Sequence, residues 1–304
     1  MILVNGEKFN AEEFHNGEVI FKKPQKVNID SNVIEMIFEN NKDITALMFA
    51  KEYLDDVVLG AQRKLIMKYC PYERMDRAIN DQMFSMKYFA RIIAKMGFDE
   101  VFILDPHSEV CVNELYKAGL NVRIINLEEY VNKVIDDFQP DYICYPDKGA
   151  YKKYPKVLKN IDIPCFYGQK TRDLENKGHI TSYELVDAPD LTDKKVLIVD
   201  DICCLGGTAY NAATEMKKAG AKEVAFYISH CENGIFAGKI LKPETIYEHK
   251  EVNKDTYTVK GEKTGETRKI ELDIPVGSKY IIDKVYTADT MLLNNTHDNI
   301  IIVK

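Results

Sequence analysis

No run of apolar residues in this 304-residue chain approaches the roughly 18 needed to cross a bilayer, so a membrane-spanning helix is excluded. The opening residues, MILVNGEKFNAEEF, lack a basic stretch followed by an apolar core, and no secretory leader is expected. Cys-x-x-Cys pairs are missing too. The seven cysteines, at 70, 111, 144, 165, 203, 204 and 231, form an odd, scattered set. That set argues against a disulfide framework or a zinc site and fits reduced thiols in the cytoplasm. Nor is there a basic excess: 41 Lys and Arg face 48 Asp and Glu, for a net charge of −7. This argues against a dedicated nucleic-acid binder. Small phosphorylated ligands remain compatible, because local groups and not the overall field hold them. Solenoid-length repeats and low-complexity tracts are likewise absent.

What is present is an ordinary globular balance, 45% apolar and 29% charged, over a length that suggests two domains of roughly 150 residues each. Short apolar, β-branched runs predict strands at 64–68, 100–104, 122–125, 142–145, 196–199, 224–228 and 280–285. Between them, helical periodicity predicts helices at 85–96, 127–138 and 208–219, ended by Gly97, Pro140 and Gly220. On the first helix, Met86, Phe89, Ile92, Ile93 and Met96 are expected to form one stripe. Strand–helix alternation of this kind indicates α/β architecture. A boundary is expected near 139, giving domains at 1–139 and 140–304. The alternating polar and β-branched stretch 251–273 reads as a solvent-facing β-hairpin added to the second domain.

The most informative segment is VLIVDDICCLGGTAYNAA, residues 196–213. A buried strand runs into Asp200-Asp201, then Gly206-Gly207-Thr208, then a helix. Glycines let backbone N–H groups approach phosphate oxygens, and the helix adds its N-terminal donors and dipole. Paired carboxylates beside an anion site call for hydroxyls or a cation, and ribose and Mg²⁺ both answer that. The competing reading is a plain strand–turn–helix corner with Asp201 as a cap.

These residues resemble the phosphoribosyl-diphosphate loop shared by type I phosphoribosyltransferases and ribose-phosphate diphosphokinases. Four further segments resemble the diphosphokinases, in the family's order. They are Phe14-His15-Asn16-Gly17-Glu18, Pro71-Tyr72-Glu73-Arg74-Met75-Asp76-Arg77, Leu104-Asp105-Pro106-His107 and Tyr145-Pro146-Asp147-Lys148-Gly149-Ala150. A weaker echo occurs at Ala288-Asp289-Thr290. The resemblance implies two tandem phosphoribosyltransferase-like domains, each a mainly parallel sheet flanked by helices. It implies transfer of the β,γ-diphosphoryl group of ATP to the anomeric hydroxyl of a ribose 5-phosphate-type acceptor, releasing AMP, for nucleotide or NAD synthesis. ATP would be the co-substrate and Mg²⁺ the cofactor, in a cytoplasmic homo-oligomer, dimer or hexamer, without nucleic-acid or membrane partners.

Carried over residue by residue, the resemblance implies ATP contacts from Phe14, Asn16, Glu18, Arg74, Asp76, Arg77 and His107. It implies Mg²⁺ held near His107 and Asp147. Ribose-phosphate contacts would come from Asp147, Asp200, Asp201, Cys204, Leu205, Gly206, Gly207 and Thr208. Lys170 and Arg172 would be the catalytic pair at the root of a lid, 173–179. Without the resemblance, His107 reads first as a hydrogen-bonded strand-end histidine and Lys170 and Arg172 as an exposed loop pair, while Phe14 is equally a core residue of a small hairpin.

The sequence departs from the family pattern at Cys204 and Leu205, where a polar pair ordinarily stands before the glycines. An isobutyl group in place of a hydroxyl removes a partner from a terminal phosphate and adds an apolar wall. Two acceptors therefore stay open: ribose 5-phosphate, or an acceptor with an esterified phosphate such as ADP-ribose, used by a phage and bacterial branch of the family. Asn16 and Met75 also depart from the family. A type I phosphoribosyltransferase and an inactive regulatory paralogue are the alternative readings.

Overall fold

A computed structural model describes residues 1–173, 179–257, 263–292 and 297–304. The chain starts with an antiparallel pair, β1 (Ile2–Val4) and β2 (Glu7–Lys8), followed by a separate small hairpin, β3 (Ala11–Glu13) and β4 (Val19–Phe21). Then β5 (Ser31–Met36), α1 (Lys42–Val57), β6 (Gln62–Ile66), α2 (Ser85–Lys95), β7 (Glu100–Leu104), α3 (Glu109–Lys117) and β8 (Val122–Ile125) alternate. They build a six-stranded sheet of order β2-β1-β5-β6-β7-β8, parallel from β5 onward. On α2, Met86, Phe89, Ala90 and Ile93 are buried, the spacing an amphipathic helix requires. Ile92 lies at the edge of that stripe and is exposed.

The second half comprises α4 (Leu127–Phe138), β9 (Tyr142–Tyr145), α5 (Lys148–Val157), β10 (Cys165–Asp173), β11 (His179–Val186), β12 (Lys195–Cys203), α6 (Gly207–Lys218) and β13 (Glu223–Cys231). After a 3₁₀ turn at Asn233–Ala237 come β14 (Glu244–Tyr257), β15 (Lys263–Lys279), β16 (Lys284–Ala288) and β17 (Ile300–Val303). Seven strands form a sheet of order β11-β10-β9-β12-β13-β16-β17, parallel except for β11. Its central strand has two covered faces. Val196 and Ile198 enter one core with Phe166, Met216 and Phe226, while Leu197 and Val199 enter another with Tyr154, Tyr227 and Tyr286. That is why β12 is a continuous apolar run and not an alternating one.

The expected break at 139 falls between α4 and β9. Helix α4, on its N-terminal side, buries Leu127, Val131, Val134 and Phe138 in the core beneath the second sheet. The expected hairpin at 251–273 is longer, running from Glu244 to Lys279 as a two-stranded antiparallel ribbon outside both sheets. The strand expected at 280–285 begins instead at Lys284; Ile281 and Ile282 are buried in the turn before it. No helix among the described residues is long and apolar enough to cross a membrane.

The carboxyl ends of the two sheets meet. Lys68 pairs with Asp289 at 2.8 Å, and Arg74 with Glu232 at 3.0 Å. Buried His230 lies 3.0 Å from the Leu104 carbonyl and 3.1 Å from the Thr290 hydroxyl, which in turn donates to the Ser229 carbonyl. Burial holds the His230 imidazole neutral, pulling its pKa down to about 4.

Candidate active site

A cavity of about 690 Å³ opens where the sheets meet. Its polar end is lined by Asp76, Arg77, Asp105, His107, Asp147, Asp200 and Asp201, and its other end by Val112, Ile124, Ile125, Leu127 and Val157. Crevices of this kind, outside the carboxyl ends of parallel strands, are where open α/β sheets bind ligands.

The first sheet supplies the 105–108 turn after β7. Asp105 adopts φ +44°, an unfavourable conformation for a residue with a Cβ, and is fixed by surrounding partners. The Tyr154 hydroxyl donates to it at 2.8 Å, the Ser229 hydroxyl donates as well, and the Lys153 ammonium pairs with it at 2.7 Å. Ser108 caps α3 and donates to Asp76, whose other oxygen accepts from Arg77 at 2.9 Å. Buried Glu73 accepts from the His107 backbone N–H, and burial raises its carboxyl well above the usual range.

The second sheet brings Asp200 and Asp201 from the end of β12. His107 Nδ1 lies 2.8 Å from Asp201 Oδ2, a bond between the two halves of the chain, and Lys153 Nζ lies 3.5 Å from the same oxygen. Burial alone would raise the Asp201 carboxyl. The His107 bond and the Lys153 charge outweigh it and hold Asp201 well below the ordinary range. Asp200 is raised instead, by burial and then by the charges of Asp201 and Asp147. Two adjacent carboxyls with opposite shifts thus stand side by side, and their oxygens are of the kind that bonds hydroxyl groups.

Asp147 caps α5 by accepting from the Gly149 and Ala150 backbone N–H groups at 2.9 and 3.0 Å, and its other oxygen pairs with Lys170 at 2.7 Å. Despite burial, these bonds lower its pKa. Lys170 thus touches a residue that lines the cavity, while neither it nor the 204–208 loop is among the lining residues. Arg172 lies on β10, opposite Ile180 past an irregularity in the pairing. Its side chain, and lid residues 174–178, lie outside the described residues.

The anion loop has the expected form. Gly206 is the residue before α6, at φ +74°, and a Cβ there would stand 2.8 Å from Ile240 Cδ1. The positive φ favours glycine at that position, and a Cβ would in addition make the Ile240 side chain shift. No side chain caps α6, which leaves its first N–H groups for a ligand. Leu205 beside them is 55% exposed.

Not every expected residue joins the cavity. Phe14, Asn16 and Glu18 sit on the turn of the β3–β4 hairpin, where Asn16 bonds Glu18 and Phe14 is exposed. Among the described residues, no hydrogen bond or ion pair links that turn to the cleft. Arg74 reaches across to Glu232 on the anion-loop side, while Arg77 stays with Asp76. Among the described residues, no three His, Cys, Asp or Glu side chains are grouped to hold a metal ion. Asp147 has both oxygens engaged, and His107 has only Nε2 without a partner. This donor set fits Mg²⁺ that arrives on a nucleotide with most of its ligands from phosphate and water, not a caged resident ion.

Sequence reasoning missed Lys153, Asp105, Tyr154, Ser229 and Glu232. Lys153 and Tyr154 follow Ala150 at helical spacing from the Asp147 cap, a signal that the unrecognised helix α5 concealed.

The comparisons agree with this geometry. The model of the Phosphoribosyl transferase domain matches residues 114–264. A ribose-phosphate pyrophosphokinase of Methanobrevibacter smithii is 29% identical over 228 residues, 70% of this chain and 74% of its own length. One of Sulfurisphaera tokodaii is 27% identical over 227 residues, 73% of this chain and 76% of its own. The crystal structure of phosphoribosylpyrophosphate synthetase from Mycobacterium smegmatis superposes with a TM-score of 0.68 at 16% identity, covering 97% of this chain and 85% of that one. In sequence and in its paired phosphoribosyltransferase-like sheets, the chain is thus similar to ribose-phosphate pyrophosphokinases, with a phosphoribosyl transferase domain over 114–264.

Proposed function

We propose that the cleft makes phosphoribosyl diphosphate by diphosphoryl transfer, moving the β,γ-diphosphoryl unit of MgATP onto the anomeric hydroxyl of ribose 5-phosphate. The observation that carries this reading is the 2.8 Å bond from His107 to Asp201, which sets the turn assigned to ATP against the strand end assigned to ribose.

The acceptor's 5-phosphate rests on the N–H groups of Gly206, Gly207 and Thr208, and Asp200 and Asp201 bond its hydroxyls. Arg74, Arg77 and Asp76 receive the nucleotide; Mg²⁺, if held near His107 and Asp147, would supply charge compensation on its phosphates. The anomeric oxygen attacks the β-phosphorus in line. The bond from that phosphorus to the oxygen bridging it to the α-phosphorus breaks, AMP leaves with that oxygen, and the proton of the anomeric hydroxyl passes to water. To Lys170 and Arg172 we assign the balancing of charge on the equatorial oxygens of the transferring group. The chemistry is mainly positioning. The Phe14, Asn16 and Glu18 turn does not line the chain's own cavity, and we assign it to the adenine of a neighbouring copy in a homo-oligomer.

A second acceptor is favoured by one observation, the exposed Leu205 at the mouth of the anion loop. An esterified phosphate such as that of ADP-ribose carries less charge and brings apolar surface to cover it. Incubating the protein with MgATP and either acceptor, and following phosphorus NMR, decides between them. Turnover of ribose 5-phosphate supports the first acceptor, turnover of ADP-ribose alone supports the second, and no AMP with either rejects the diphosphokinase reading. Release of diphosphate from phosphoribosyl diphosphate, with formation of a nucleotide and only when a base is added, would point to a phosphoribosyltransferase.

A further inference from the structure

The cleft floor holds three carboxyl groups from different parts of the chain, Glu73, Asp105 and Asp201, and one ammonium that touches two of them. We propose that Lys153 is a positioning residue for the diphosphoryl transfer proposed above: it ties Asp105 of the first sheet to Asp201 of the second and so fixes where His107 stands. The inference rests on that reading for its kinetic consequence, but not for its structural one.

Lys153 is the sixth residue of α5 and lines the cavity. Its Nζ lies 2.7 Å from Asp105 Oδ1 and 3.5 Å from Asp201 Oδ2. The other cations lining the cavity are engaged elsewhere or stand at its rim. Arg77 is bound to Asp76, and Lys152 and Lys156 are exposed. Asp105 is almost fully buried and held in a strained backbone conformation. An unpaired charge there would drive the 105–108 turn outward, toward water. That turn carries His107, whose ring is oriented by Asp201, the second carboxylate that Lys153 holds. A single ammonium thus sets the register of the two half-sites against each other. A displacement of about 1 Å in such a register can cost about 100-fold in rate, while each half still binds its own ligand.

The test uses the full chain with Lys153→Met and Lys153→Arg. Arginine has enough donors to bridge both carboxylates. Lys153→Met is expected to lower kcat about 100-fold, with KM for ATP and for the acceptor within about 3-fold of the parent, and Lys153→Arg to restore most of kcat. In the unliganded protein, ¹⁵N NMR of the histidines should show the hydrogen-bonded Nδ1–H of His107 in the parent and in Lys153→Arg, and lose it in Lys153→Met. Because Lys153→Met leaves Asp105 unpaired and can unfold the chain, Asp105→Asn/Lys153→Met removes both charges together. It is expected to fold and to show the same losses. Unchanged kcat in a folded variant overturns the proposal, as does a retained His107 signal, or a loss that arginine does not restore. If the parent turns over neither acceptor, the function reading fails, and the His107 signal still decides the role of Lys153.

Discussion

Replacing Leu205 by threonine restores a hydroxyl beside the anion loop, and the outcome can be worked from the structure. Leu205 is 55% exposed, so its isobutyl group contributes little to the core, and surface changes of this kind stay within about 0.5 kcal/mol of stability. The new hydroxyl stands next to Gly206, directly before an α6 terminus that no side chain caps. A hydrogen bond to a charged group contributes about 1.5–3 kcal/mol, which is roughly a 10- to 150-fold tighter hold on a terminal phosphate dianion. An esterified phosphate with less charge gains less. Isothermal titration of parent and variant with ribose 5-phosphate, and separately with ADP-ribose, measures both. The expected result is a fall in Kd for ribose 5-phosphate of at least 10-fold and a much smaller change for ADP-ribose, at unchanged melting temperature. Equal changes for both acceptors, or no change for either, would refute the assignment of the terminal phosphate to this loop.

Other outcomes follow from the same geometry. Lys170→Ala should cut turnover by orders of magnitude while ATP affinity stays nearly intact, because its ammonium serves the transferring group; unchanged steady-state rates would remove it from the site. Arg74→Met should raise KM for ATP yet cost no more than about 1 kcal/mol in denaturant unfolding, since its pair with Glu232 is half exposed and screened by water. His230 binds its proton only near pH 4 when folded but near 6.5 when unfolded, so the unfolded chain holds the extra proton between those values. Stability should therefore fall on acidification from pH 6.5 to 4, by about 3 kcal/mol from this group. His230→Gln should flatten that part of the pH dependence in chemical denaturation; identical slopes would contradict the buried neutral imidazole.

The inner parallel strands of both sheets were the most legible part of the fold, for physical reasons. β7, β8, β9 and α4 were read with their observed bounds, and β12 and β13 in their central parts; a parallel strand covered on both faces is an uninterrupted apolar run. Helix α1 was missed, since its buried positions include Asp43 and Lys51, which blur the apolar stripe. Helix α5 was missed as well, for it is short, rich in lysine and contains Pro155. In the site, the anion loop could be read because glycine and paired aspartates leave a local signature. The Lys153–Asp105 pair could not: its members lie on different sheets, and only the meeting of the two halves brings them together. The turn bearing Phe14, Asn16 and Glu18 was legible as a hairpin, but its absence from the cavity lining was not.

The central claim is that the bond broken in ATP lies between the β-phosphorus and the oxygen leading to the α-phosphorus. Chromatography of the nucleotides after incubation with MgATP and ribose 5-phosphate tests it most directly. The account predicts AMP, formed in equal amount with phosphoribosyl diphosphate and without ADP. ADP as the nucleotide product, or AMP formed equally fast with no acceptor present, would contradict it.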